Sequence, residues 1–202
     1  MNDNILFTKK DTEEFYIIST FDLTEGFHLA GIKQAYLDFC RTLKKEKNES
    51  DSKRAEKRKK VSAWLDEQLQ ELIKVRCSSQ KKFDEKHEKL TEELKKKWGG
   101  DFTIGQSQKW INMTLKYWCL LGKDRIPNID INYTFFHIPI DSIIQNTMFS
   151  NFKKHEPWSK FENYSDYFEY QEYYREQRAN ELCAIVDELR TFNNYFLPKE
   201  KN

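Results

Sequence analysis

The chain has 202 residues, 38% of them hydrophobic and 15% aromatic, which is enough to build a substantial core and excludes an intrinsically disordered composition. Its 34 Lys and Arg against 33 Asp and Glu leave a formal charge of +1, so no global attraction to a polyanion exists and any nucleic-acid contact must come from a local patch. No run approaches the roughly 18 apolar residues of a membrane span, and the N-terminal "MNDNILFTKKDTEEFYII" lacks an apolar leader, so a cytoplasmic protein without a membrane partner is expected.

Taken in chain order, Phe15 to Phe21 ("FYIISTF") has the residues of a short strand, although nothing nearby supplies a strand partner. No glycine or proline occurs from Ile32 to Trp98, which predicts an almost unbroken helical stretch. Ile32, Ala35, Tyr36, Phe39 and Leu43 give it a first amphipathic face, and Trp64, Leu65, Leu69, Leu72 and Ile73 a second. Between them, residues 44–60 carry nine Lys or Arg against four Asp or Glu and one apolar side chain, Ala55. This segment is expected as an exposed connection between helices. It reads as a solvated charged surface, with a phosphate-contacting patch as the functional alternative. The next helix, Phe83 to Trp98, has a thin apolar edge of Phe83, Leu90, Leu94 and Trp98 and several Glu-to-Lys pairs one turn apart.

Gly99-Gly100 is a helix terminator, and Gly105 is expected to bend the chain before Ser107 caps a helix running to Leu121. On that helix Lys109, Asn112 and Lys116 lie at i, i+3 and i+7, one polar stripe beside Trp110, Met113, Tyr117 and Trp118. A lysine in a first helical turn feels the positive end of the helix dipole, and an amine freed of its proton is a nucleophile that forms Schiff bases. All four prolines fall after residue 126, and the apolar run 126–149 reads as a buried connection leading into a helix at about residue 142, capped by Asp141 or by Ser142 with Gln145. One or two long helices close the chain, with Phe161, Tyr164, Tyr167 and Phe168, then Leu182, Ile185, Val186 and Leu189, at helical spacing. The fold class is all-α, a single domain over residues 1–202. Cys40, Cys77, Cys119 and Cys183 are scattered without a C-x-x-C or Cys/His pairing, so buried thiols and no metal site are expected.

"KWINMTLK" (Lys109 to Lys116) followed by "IPID" (Ile138 to Asp141), the lysine and the aspartate standing 32 positions apart, resembles the helix-hairpin-helix DNA glycosylase superfamily, and within it the archaeal 8-oxoguanine DNA glycosylase branch. There a K-x6-K helix is followed by an I-P-x-x-D or P-V-D motif. The resemblance spans about Gly99 to Phe149, a quarter of the chain, and implies a helix-hairpin-helix-like unit over 83–150. The hairpin would comprise Gly105, Gln106 and Ser107, with one glycine where the family commonly has two. The resemblance implies a bifunctional DNA N-glycosylase/AP lyase. Lys109 would be its nucleophile and Asp141 the catalytic partner, acting as a monomer on DNA with a modified or damaged base and needing no cofactor. A flipped-out base would need aromatic walls, for which Trp110, Phe136 and Trp158 are candidates. Lys116 and Asn112 are supporting candidates. His137 is a candidate donor to the leaving base, set against a hydrogen-bonded core role.

Two rival readings exist. A non-catalytic helical protein- or nucleic-acid-binding module fits the near-neutral charge, and the discriminating feature is whether Lys109 and Asp141 converge in a cleft. A helical ribonuclease with an R-x4-6-H pair fits poorly, because Arg76 and His87 are eleven residues apart.

Overall fold

Polar side chains placed one residue ahead of the helical runs set several of the helix starts, and the computed structural model, which describes residues 7–44, 49–153, 156–177 and 183–198, shows them in use. The architecture is all-α. Eight α-helices and no strand occur among the described residues: α1 Lys9–Thr20, α2 Phe27–Phe39, α3 Asp51–Lys74, α4 Gln80–Trp98, α5 Ile104–Leu121, α6 Ser142–Thr147, α7 Tyr164–Gln177 and α8 Ala184–Phe196. Thr8, Ser50, Ser79, Thr103 and Asp141 each accept a hydrogen bond from a backbone N–H of the first turn of α1, α3, α4, α5 and α6, satisfying donors the helix itself cannot. No helix among the described residues is long and apolar enough to cross a membrane.

Three expectations change. The Phe15 to Phe21 stretch is the second half of α1 and its cap, not a strand: Thr8 and Asp11 form a reciprocal capping box that nucleates helix ahead of it. Of the charged segment 44–60, residues 45–48 lie outside the described residues, as does Leu182. Ser50 starts a helix there, so 51–60 are the first ten residues of α3 instead of a loop. Third, α5 begins at Ile104 under a capping box of Thr103 and Gln106, so Gly105, Gln106 and Ser107 are already helical. The turn itself is Gly99 to Thr103, with Gly99 and Gly100 at φ of 75° and 60°, a region glycine enters without strain.

Helix α5 is the central element, and its closest partner is α2. Gly31 of α2 permits the approach, since a β-carbon there would meet the Trp118 indole at 2.6 Å. Trp110 and Trp118 donate their indole N–H to the carbonyls of Ile32 and His28, which satisfies the polar atom of each large ring. Tyr36, Phe39, Trp98, Phe102 and Trp110 form an aromatic cluster where α2, α4 and α5 meet.

An extended segment, Phe136 to Ile140, crosses this helical core without a neighbouring strand. Two glutamines stand in for one. Gln171 of α7 accepts from the Ile138 N–H (3.0 Å) and donates to the Ile138 carbonyl (2.9 Å). Gln108 of α5 accepts from the Ile140 N–H (3.2 Å) and donates to its carbonyl (2.9 Å). Pro139, between them, has no N–H to satisfy. Backbone polar groups that would otherwise be buried unpaired are thereby neutralised.

Gly105 seats α5 on the turn before α7. Its N–H donates to the Phe161 carbonyl at 3.1 Å, and a β-carbon would lie 1.7 Å from the Trp158 carbonyl oxygen. Because the obstacle is backbone, Gly105→Ala is expected to cost about 2–4 kcal/mol and to lower the thermal midpoint by about 5–12 °C. Circular-dichroism melting checks this, and an unchanged midpoint would show that the 157–161 turn is not fixed against α5.

Candidate active-site cavity

Lys109 sits in the second turn of α5 and Asp141 caps α6. Their side chains meet, with Lys109 Nζ 2.6 Å from Asp141 Oδ2. The lysine side chain is 4% exposed and the aspartate 17%, so the pair is largely withdrawn from water on one side and open on the other. The second oxygen, Oδ1, accepts from the Ile144 N–H at 2.8 Å. Adjacent residues of α5 thus hold adjacent residues of the loop: Gln108 grips the Ile140 backbone and Lys109 the Asp141 side chain.

Both residues line a cavity of about 760 Å³, together with Asp38 near the end of α2, Arg41 in the turn just after it, Trp158, and Phe192 of α8. Lys116, two turns after Lys109, lines the same cavity and is paired with Glu188 of α8. Glu188 Oε1 accepts its hydrogen bond at 2.9 Å, and Oε2 lies in ion-pair contact at 2.7 Å. The Lys116 ammonium also sits 4.7 Å from the centre of the Phe192 ring. Burial raises Glu188 above the usual carboxylate range, with the Lys116 ammonium opposing it. Asp38 is likewise raised by burial, against the hydrogen bond that it accepts from Tyr117 Oη at 2.9 Å. Two buried lysines and two carboxylates, Asp38 and Asp141, therefore line one space, with Glu188 fully buried against Lys116.

The other sequence-derived candidates divide. Trp158 lines the cavity. Trp110 and Phe136 are fully buried in the core, the first in the α2–α4–α5 cluster and the second against Phe83, and neither faces it. Gln106 turns away to Thr42, donating to its carbonyl at 3.0 Å, and Ser107 is buried inside the helix.

Asn112 and His137 belong to a separate network, because the stripe that Lys109, Asn112 and Lys116 share in sequence is split between two neighbours. Asp84 is an acceptor only, which fixes the direction of the chain ending on it. Tyr164 donates to His87 Nδ1 (2.8 Å), His87 Nε2 to Asn112 Oδ1 (2.9 Å), and Asn112 Nδ2 to Tyr167 Oη (2.8 Å). Tyr167 then donates to His137 Nδ1 (2.8 Å) and His137 Nε2 to Asp84 (2.8 Å). Arg175 closes it with two hydrogen bonds to Asp84, each 2.9 Å. Burial, then the neighbouring His137, holds His87 well below its ordinary value; burial also lowers His137. Burial alone would raise Asp84, but hydrogen bonds from His137, Arg175 and Gln80 outweigh it and hold the carboxylate far below its usual range. His137 is thus a positioned, neutral core residue.

Glu188, Asp38, Tyr117, Arg41 and Phe192 were not singled out by sequence. The usable signal was on α8, where Ile185, Glu188 and Phe192 at i, i+3 and i+7 put an acid within an apolar stripe. No group of three or more His, Cys, Asp or Glu arranged to hold a metal ion occurs among the described residues. No protein-family model, curated protein or solved structure matches the chain.

Two outcomes are expected. Below pH 6.5 an unfolded histidine takes up a proton that buried His87 and His137 refuse, so stability falls with pH by about 1.4 kcal/mol per unit for each ring. Urea unfolding should therefore give a loss of about 2–3 kcal/mol between pH 7.5 and 5.5, roughly halved in His87→Gln; Asp84 adds a further loss below about pH 4, where its unfolded form protonates first. A flat profile would mean that both rings titrate normally when folded. Glu188→Gln should cost about 3–5 kcal/mol by leaving the Lys116 ammonium buried without a counter-charge, and Lys116→Met combined with Glu188→Leu should recover most of it. Equal losses in the single and double variants would argue against that origin.

Proposed function

We propose that the protein is a DNA glycosylase with AP lyase activity, excising a modified or damaged base through a Schiff base on Lys109. The observation that carries this reading is the convergence of Lys109 and Asp141 at 2.6 Å on the wall of one cavity. At about 760 Å³ that cavity falls in the range of roughly 300–1,000 Å³ typical of small-molecule sites. The resemblance of "KWINMTLK" and "IPID" to the helix-hairpin-helix glycosylases supports the same assignment.

The chemistry follows from the pair. With the nucleotide flipped into the cavity, Asp141 takes a proton from the Lys109 ammonium and the freed amine attacks C1′ of the sugar. The bond from C1′ to the base breaks, the base leaves with the electron pair, and the proton on Asp141 neutralises it. The Asp141 carboxylate, again charged, stabilises the positive charge on the sugar. One proton of the secondary ammonium so formed passes to the ring oxygen O4′ as the C1′–O4′ bond breaks, leaving a protonated imine; removal of a C2′ proton, acidified by that imine, then expels the 3′ phosphate with its bonding electron pair. Trp158 and Phe192 supply aromatic surface against which a base can lie.

A second reading has one observation in its favour. The net charge of +1 is low for a protein that scans DNA, and fits a non-catalytic helical module that binds protein or nucleic acid. It leaves unexplained why two lysines are buried on a cavity wall when apolar side chains would cost less.

Incubation with duplexes carrying a panel of modified bases, in the presence of borohydride, separates the two. The glycosylase reading requires a covalent protein–DNA adduct, its loss in Lys109→Gln, and a slowing of about 10²–10³-fold in Asp141→Asn. No adduct across the panel, or an adduct unaffected in Lys109→Gln, overturns it.

A further inference from the structure

Elimination of the 3′ phosphate needs a group to take the C2′ proton, and that group has to lie on the cavity wall near Lys109. Asp141 is committed elsewhere. Its Oδ2 meets the Lys109 nitrogen at 2.6 Å and its Oδ1 accepts from the Ile144 N–H at 2.8 Å, so both oxygens are engaged and the side chain is fixed as the cap of α6. Among the described residues, the only other carboxylate on this wall is Asp38.

The packing of α2 on α5 sets where Asp38 stands. The two helices run antiparallel: Thr42, just beyond α2, takes hydrogen bonds from Gln106, the Phe39 ring lies 5.5 Å from Trp110, and Gly31 adjoins Trp118. Asp38 is therefore level with the early turns of α5, where Lys109 is. Rotation about the α5 axis separates the two acids. Successive helical residues turn by about 100°; Gln108 faces the Ile140 backbone and Trp110 faces α2, so Lys109 projects between them. One carboxylate thus approaches from the extended segment and the other from α2.

The Asp38 side chain is half-buried and held by one oxygen. Tyr117 Oη donates to Oδ2 at 2.9 Å, which orients the carboxyl group and leaves Oδ1 without a hydrogen bond among the described residues. Burial raises its affinity for a proton above that of an ordinary carboxylate, against the Tyr117 hydrogen bond and the charges of Lys109 and Lys116. A more basic carboxylate is a stronger acceptor for the proton.

We infer that Asp38 is a second catalytic residue, the base that removes the C2′ proton once the protonated imine has formed on Lys109. The inference rests on the glycosylase reading. In this step the proton goes to Oδ1 and the C2′–H electron pair becomes the C1′–C2′ double bond of an enamine. The nitrogen lone pair then restores the protonated imine, the C1′–C2′ pair moves to C2′–C3′, and the C3′–O bond breaks, so that the 3′ phosphate leaves with the bonding pair. Asp38 passes its proton to water, and hydrolysis of the remaining imine releases Lys109.

A duplex with a preformed abasic site isolates this step, because an imine forms on it without departure of a nucleobase. Borohydride trapping reports the imine, and strand nicking, quenched without heat or alkali, reports the elimination. Asp38→Asn keeps an oxygen for the Tyr117 hydrogen bond but cannot take the proton; it should trap within about threefold of the wild type and nick about 10²-fold more slowly or worse. A second variant leaves Asp38 in place. Tyr117→Phe removes a hydrogen bond that favours the charged carboxylate, so the rise of nicking with pH should move to higher pH while the trapping profile stays put. The other charged groups around Asp38 are unchanged in that variant: Lys109 and Lys116 of α5, Arg41, Asp141, and Glu188 behind Lys116. Equal trapping and equal nicking in Asp38→Asn and the wild type remove Asp38 from the reaction and leave the glycosylase standing. An unshifted Tyr117→Phe profile also overturns the inference, and decides it should Asp38→Asn lose trapping and nicking together. No trapping by the wild type overturns the glycosylase reading, and this inference with it.

Discussion

The structure depends on how an extended backbone is kept inside a helical protein. Phe136 to Ile140 brings N–H and C=O groups into a core that has no strand to receive them, and each unpaired group there would cost about 1–3 kcal/mol. Gln171 and Gln108 supply the missing partners from two different helices, each pairing both polar groups of one residue. The segment is thereby locked between α5 and α7, and its last residue delivers Asp141 to the start of α6. A one-residue slip would exchange the inward and outward sides of the segment and withdraw Asp141 from Lys109.

From that lock two polar systems diverge on α5. On one side Asn112 joins a sealed chain of hydrogen bonds with His87, Tyr167 and His137, ending on Asp84, in which each donor meets an acceptor and burial keeps both imidazoles neutral. On the other, Lys109, Lys116 and Asp141 line a wall that opens on space, and Glu188, itself fully buried, is paired with Lys116. The first system specifies packing. The second concentrates ionic groups at a cost that structure alone does not require, and for that reason it is where chemistry is sought.

Helix periodicity made much of the fold legible. The spacing of Ile32 to Phe39, Phe83 to Trp98 and the α5 apolar residues translates directly into buried faces, and Asp141 was readable as a cap because an acid before an apolar helical run has few other uses. The strand-like residues of "FYIISTF" misled because β propensity reflects packing on a sheet, and α1 packs on none. Burial of Lys109 and Lys116 on one face was visible as a stripe, but a stripe gives a direction around one helix and not the neighbour it meets. Hence Asn112 was grouped with lysines it does not join, and Glu188, 72 residues beyond Lys116, went unseen. Trp110 and Phe136 show the same limit, since an aromatic side chain reads alike whether it fills a core or walls a cavity.

The ion pair between Lys109 and Asp141 has a consequence for access to the lysine nitrogen. Lys109 Nζ is engaged by Asp141 Oδ2 at 2.6 Å and its side chain is 4% exposed, so a small electrophile entering the cavity meets a nitrogen already hydrogen-bonded and sterically covered. Under the proposed chemistry, reactivity waits on a nucleotide that fills the cavity, excludes water and separates the pair. On the glycosylase reading proposed above, selectivity toward the correct reaction partner begins with the Lys109–Asp141 pairing, before any contact with a base is considered.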